Sequence, residues 1–255
     1  MRKKYRQPIL NLVLAAGMLS GSAAAYAAES SESAWEFELT PMFLWGMSIN
    51  GTSEVGPVEL PLNIDFTDGV LENLDAVFTL HFEAKKKDLT LFTEIQYADL
   101  TPSAQIPGGP SIGVDFENTL FELGAAYRVA TTGSTDWELL GGARYTRQQL
   151  NATVKNGGPT LADVDESWWD GFVGGRVITR LSPKWTLMGR ADIGAGGSDL
   201  VWNIAAFADY RFNDWGSVFA GWKWLDYDYE SGSGLDRYGY DALQQGPLAG
   251  LSFHW

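Results

Sequence analysis

The last thirteen residues constrain the fold more than any other stretch. One face carries Leu243, Gln245, Pro247, Ala249, Leu251, Phe253 and Trp255, and the other carries Gln244, Gly246, Leu248, Gly250, Ser252 and His254. Alternation of this kind is the period of a strand, because successive side chains leave opposite sides of an extended backbone. The chain then stops on an aromatic residue. A terminal strand that presents Phe253 and Trp255 on one side needs an apolar medium there, either a protein core or lipid.

The same rhythm runs back through the chain. A first strand is expected from Trp35 to Ile49, with Phe37, Leu39, Pro41, Phe43, Trp45, Met47 and Ile49 on the apolar face; Pro41 lacks an amide donor and calls for a bulge. Residues 50 to 74 form the longest connection, an external hairpin with Thr67-Asp68 placed to cap a brief helix. Further strands follow at about 76–84, 89–97, 114–129, 137–154, 168–181, 185–194, 200–212, 215–229 and 240–255, which makes ten. The connections alternate in length. Short ones at 85–88, 130–136, 182–184 and 213–214 lie at one end, with most of the long ones at the other. Such asymmetry is that of a closed antiparallel up-and-down transmembrane β-barrel with short periplasmic turns and longer external loops.

Basic Arg2, Lys3, Lys4 and Arg6, an apolar run from Ile9 to Leu19, and Ala25-Tyr26-Ala27 read as a secretory signal peptide spanning residues 1–27, with residues 28–255 as the barrel domain. Removing the leader takes the formal charge from -14 to about -18, since residues 1–27 hold four cations and no acid. An acidic chain of this kind does not seek nucleic acid by electrostatics. No cysteine is present, so neither a disulfide framework nor a lipidated cysteine is available. Eleven Trp, ten Tyr and thirteen Phe suit the aromatic girdles of a membrane barrel.

Two segments, Leu74 to Leu100 and Gly221 to Trp255, resemble a family of small, mostly uncharacterised outer-membrane β-barrel proteins of Gram-negative bacteria. Barrels of the OmpA and OmpW kind are looser analogies of architecture. Leu251, Phe253 and Trp255 resemble the C-terminal sorting signal of such proteins. The resemblance implies the outer membrane, contact with its lipids and lipopolysaccharide, and delivery by the barrel-assembly machinery; it implies no reaction and no cofactor.

With the aromatic faces toward lipid, the opposite faces line the interior. Near mid-height this places Glu94 and Glu122 on one arc and Arg144, Arg176, Arg190 and Lys223 on the other, with Glu36, Glu38, Glu83, Arg128, Glu138, Arg180, Asp209, Arg211 and His254 nearer the periplasm. Two functions are open to these residues. Charges separated across water would make a narrow pore for small polar solutes. Charges bridged to one another would seal the barrel, and a ten-stranded lumen is near the lower size limit for a channel.

An enzyme is not expected. The chain has two histidines, and both His81 and His254 fall inside the barrel, away from external Ser or Asp residues. Asp163, Asp165, Glu166 and Asp170, and Asp226, Asp228, Glu230, Asp236 and Asp241, are read as a solvated acidic rim in outer loops, with a divalent-cation site as the lesser alternative. A soluble periplasmic barrel or sandwich is the remaining class; it would have to leave either the rings or the charges on the wrong side. The sequence does not specify an oligomeric state.

Overall fold

The computed structural model describes residues 34–67, 71–101, 103–105 and 111–255; the leader segment, and Asp68 of the expected helix cap, lie outside these residues. Among the described residues, fourteen strands form one antiparallel sheet that closes on itself. They are β1 (Glu36–Thr40), β2 (Phe43–Trp45), β3 (Ser48–Val55), β4 (Val58–Ile64), β5 (Leu74–Lys86), β6 (Leu89–Leu100), β7 (Ser103–Gln105), β8 (Ser111–Thr132), β9 (Thr135–Val154), β10 (Thr160–Arg180), β11 (Trp185–Gly196), β12 (Leu200–Asn213), β13 (Gly216–Ser231) and β14 (Tyr238–His254). Because β1, β2 and β3 succeed one another along β14, and β4 and β7 only extend hairpins, the wall has ten staves. β1 pairs with β14 on one side and β5 on the other, which closes the ring and leaves no free ladder at that level.

Turn lengths sort the two ends. Tight turns follow β5, β8, β10 and β12, at the same end as both β1 and the chain terminus. Lys87 (φ 55°) and Gly133 (φ 61°) supply the left-handed residues of the first two.

In the lower part of the barrel the outward face is apolar. Leu123 (57% exposed), Leu139 (62%) and Val173 (65%) alternate with buried partners, and the exposure is what lipid would cover. Two bands of rings bracket them. The lower contains Phe37, Trp185, Tyr210, Trp215, Phe253 and Trp255, with Trp215 stacked on Phe253 at 5.8 Å and Phe37 on Trp255 at 5.6 Å. The upper includes Phe121, Tyr145 and Trp169, with Tyr145 and Trp169 5.1 Å apart. From Trp137 to Tyr145 on β9 is about 27 Å of extended chain at about 3.4 Å per residue, or about 20 Å of height for a strand tilted about 40°. That is a little short of the apolar band of about 25 Å of a membrane barrel, before the reach of the flanking rings is added.

Above the upper band β8, β9, β10, β13 and β14 continue, and the polarity of their faces reverses. Outward positions are now charged, as in the Arg147–Asp165 pair between β9 and β10 with N–O distances of 2.9 and 2.8 Å. Inward positions form a core of Met47, Ile49, Leu120, Trp168, Val201, Leu225, Tyr227, Tyr229, Tyr238, Tyr240 and Ala242. Trp168 stacks on Tyr229 at 3.8 Å and meets Tyr227 edge-on at 5.9 Å. Each tyrosine hydroxyl finds a partner, in Thr146 for Tyr227, Glu166 for Tyr229, Gln148 for Tyr238 and Gln244 for Tyr240. Burial raises the Tyr238 hydroxyl pKa and pushes that of Tyr240 up to about 12.

Three sequence expectations are corrected here. The expected bulge at Pro41 is present, since Leu39 faces Phe253 and Phe43 faces Gly250, one residue more on the first stave than on β14. The slip reverses every later side chain. Phe43, Met47 and Ile49 are therefore buried in the lumen, with Trp45 on the same inward face, while Leu44 points outward. Residues 160–167 are not a loop but the outer part of β10, so Asp163 and Asp165 stand on a strand. The interior above the upper band is an aromatic core rather than a polar lumen. The expected 50–74 hairpin forms as β3 and β4, and Leu62 and Ile64 pack against that core.

Candidate functional site

Below the aromatic core the barrel is crossed by ion pairs. Arg144 on β9 is fully buried, donating from Nε to Glu122 on β8 at 2.7 Å and from Nη2 to Asp192 on β11 at 2.8 Å. Arg190 on β11 makes the complementary pairs, Nη2 to Glu122 at 2.9 Å and Nε to Asp192 at 2.8 Å. The two guanidinium groups and two carboxylates close a ring that spans four staves. Phe172 lies 5.0 Å from the Arg144 guanidinium and Phe92 lies 5.2 Å from that of Arg190, so the ring is walled by aromatic faces. The rings fit because Gly124 and Gly142 lie against them; a Cβ on either would overlap Phe92 or Phe172.

A second set adjoins it. Arg176 on β10 donates to Glu138 at 2.7 Å and to Glu83 on β5, reaching across the lumen. Lys223 on β13 bonds Glu94 on β6 at 3.0 Å and lies 4.9 Å from the Trp45 ring. His81 joins the two, with Nδ1 3.1 Å from Glu94 and Nε2 3.3 Å from Glu83.

All six residues read from the sequence as the lumen constellation thus meet in one layer. Their arrangement departs from the separation expected. Glu122 bonds Arg144 and Arg190, and Asp192 and Glu138 stand among the bases, so charges alternate across the lumen instead of facing one another over water. Asp192 was not singled out from sequence, although it sits two residues from Arg190 and so shares its face. Glu83, Glu138 and His81 belong to this layer as well.

Beneath the layer a cavity of about 580 Å³ opens at the short-turn end. Its ceiling includes Arg176, Arg190, Lys223, His81 and Glu94, one wall is apolar (Phe43, Ala205, Phe207, Phe219, Leu248), and its mouth is charged (Glu36, Lys85, Lys184, Arg211). His254 lies at this mouth, bonded to Ser217 at 2.9 Å.

At the other end the acidic residues do not converge on an ion. Asp165 pairs with Arg147, and buried Asp170 accepts the Ser198 amide at 2.9 Å. Asp228 and Asp241 face each other across β13 and β14 on the outer surface. Burial, then Asp241, raises the carboxyl pKa of Asp226 and of Asp228 above the usual range. Among the described residues no group of three or more His, Asp or Glu side chains is placed to hold a metal ion.

Of the C-terminal residues, Leu251 and Phe253 lie on the outer face of β14, and Trp255, one residue past its end, is exposed and stacks on Phe37.

No protein-family model matches the sequence, and no curated protein does. Solved structures do match the fold. The outer membrane protease OmpT of Escherichia coli superposes with a TM-score of 0.54 at 10% identity, over 90% of this chain and 99% of that one. The translocator domain of the autotransporter NalP of Neisseria meningitidis (TM-score 0.43, 15% identity, 88% and 89% of the two chains) and Ail of Yersinia pestis (0.38, 8%, 87% and 97%) align over similar lengths. With its lipid-type outer surface and closed ten-stave wall, the chain has the fold of an outer-membrane β-barrel.

Proposed function

We propose that this protein is a non-conducting integral protein of the Gram-negative outer membrane, with a structural rather than a permeability role. The observation that carries the reading is the fully buried Arg144 held between Glu122 and Asp192. A hydrated ion would have to displace partners from a charge that has no water to replace them. The aromatic core above that layer is a second obstruction, since its apolar side chains offer a permeant ion no ligands. Lipids and lipopolysaccharide are its lateral partners, met by the apolar and aromatic outer face. The barrel-assembly machinery would read Leu251, Phe253 and Trp255. The role is non-enzymatic on this reading, because His81 and His254 are held by carboxylates and a serine within the lumen. The more specific affinity to one uncharacterised barrel family rests on segments 74–100 and 221–255.

Purified protein reconstituted in planar bilayers tests this. No ohmic steps are expected at moderate voltage. Regular single-channel steps from the unaltered chain would establish a pore instead.

A further inference from the structure

We propose that His81 is a proton-operated lock within the ion-pair layer, a charged imidazolium that ties one buried ion pair to the next and holds only while both its nitrogens are protonated. Two independent observations point there. The first is geometric. Nδ1 lies 3.1 Å from a Glu94 oxygen and Nε2 lies 3.3 Å from a Glu83 oxygen, so both ring nitrogens face carboxylates. A neutral imidazole has one N–H and one lone pair, and in either tautomer it would set that lone pair against a carboxylate oxygen. Only the imidazolium donates on both sides.

The second is the balance of charge. The ring of Glu122, Asp192, Arg144 and Arg190 is neutral by itself, two acids against two bases. The adjoining set is not. Glu83, Glu94 and Glu138 meet two permanent cations, Arg176 and Lys223, and the third positive charge is that of His81. The strands packed around the imidazole do not replace it: β1 brings Thr40 opposite His81 and the acid Glu38 opposite Glu83, while Arg190 on β11 is already engaged by Glu122 and Asp192. His81 also lines the cavity open at the short-turn end, with 22% of its side chain exposed, so its proton exchanges with the solution there. Loss of that proton unlinks the Arg176–Glu83 pair from the Lys223–Glu94 pair and leaves one uncompensated negative charge between them. The lock is closed at acidic and neutral pH and released in alkali.

The test is nitrogen NMR of the full chain, labelled with ¹⁵N-histidine and folded in non-denaturing micelles, with the two histidines told apart through His254→Gln. At about pH 7.5, above the ordinary histidine value of about 6.5, His81 is expected to show two protonated ring nitrogens. One protonated and one bare nitrogen at that pH would overturn the proposal. Glu94→Gln leaves two acids against two bases in the set, and His81 is then expected to release its proton at a lower pH; an unchanged titration would overturn the proposal as well. Stability gives a second readout. The His81 contribution is complete below about pH 6.5, where the unfolded chain is also protonated, and is lost as pH rises toward the point at which the folded chain lets the proton go. Between about pH 6.5 and 9 the temperature of the gel-mobility shift of the His254→Gln protein is expected to fall by about 2–4 °C per pH unit. With His81→Gln added it is expected to stay level, and equal slopes would contradict the lock. The lock acts on the layer that carries the sealed-barrel reading, yet the two fail separately. Conductance steps with a charged His81 would overturn only the seal, and a silent barrel with a neutral His81 only the lock.

Discussion

Within β13, residues 218–224 and 225–229 belong to two different solvents. In the lower stretch the rings Trp222 and Trp224 point outward and Lys223 inward; in the upper, Tyr227 and Tyr229 are buried and Asp226 and Asp228 face out. No bulge separates the two, as the ladder to β14 keeps one register from Gly216 to Ser231. The inversion therefore lies in the sequence and not in the backbone. Below, hydrocarbon takes the apolar face and the enclosed charges must pair with one another. Above, water takes the charged face and the rings pack inside as they would in a soluble barrel. The wall is continuous, and what changes at the upper aromatic band is the medium around it.

Substitutions can break this comparison. Arg144→Ala is expected to cost the most, about 3–5 kcal/mol, because Glu122 and Asp192 lose a buried partner at once; the temperature of the gel-mobility shift should fall accordingly. In the upper region Leu225→Ala, at a position with no exposed surface, should cost about 2–5 kcal/mol. Its signature should be local, with protease nicking of the outer hairpins while the membrane-embedded wall remains resistant. If both variants melt the whole molecule together, the two regions form one cooperative unit.

The outer face gives a matched pair. Leu123→Lys places an ammonium group near the bilayer midplane and should cost about 2–4 kcal/mol of folding stability in lipid. Gln149→Lys, outward on the neighbouring strand but above the upper band, should stay within about 0.5 kcal/mol. Urea titrations in bilayer vesicles measure both.

The smallest effect concerns pH. Asp226 and Asp228 have raised carboxyl pKa values, so their protonated forms suit the fold better than their carboxylates. The resulting penalty is complete above the raised values and disappears as pH falls through them toward the ordinary carboxylate range of about 4. Resistance of the outer hairpins to protease should rise modestly over that interval. Asp241→Asn should reproduce part of the gain at neutral pH, about a few tenths of a kcal/mol for one cross-strand like-charge pair.

Much of this architecture is legible in the sequence, for physical reasons. The staves are visible because lipid on one side and paired charge on the other enforce a period of two, and Gly133 or Lys87-Asp88 mark where the chain turns. The constellation of Glu94, Glu122, Arg144, Arg176, Arg190 and Lys223 follows from the same parity. Its pairing does not, since Arg176 meets Glu83 across the lumen, at a separation only the closed wall defines. The reversal at Pro41 is hidden because both faces of residues 42–47 are apolar, so either phase reads as a strand. The upper core had a readable sign. In 222–229 the rings pass from even to odd positions, and Trp168-Trp169 places one indole on each face. Such a change of parity without a turn marks the edge of the membrane.

The inversion can be measured directly. The chain has no cysteine, so single cysteines at the outward odd positions 137 to 151 of β9 can each carry a nitroxide in the reconstituted protein. Collision with oxygen, which concentrates in hydrocarbon, should dominate from 137 through 145, and collision with a water-soluble nickel chelate should dominate from 147 through 151. A profile with no crossing near Tyr145, or one that stays oxygen-rich to position 151, would contradict the account.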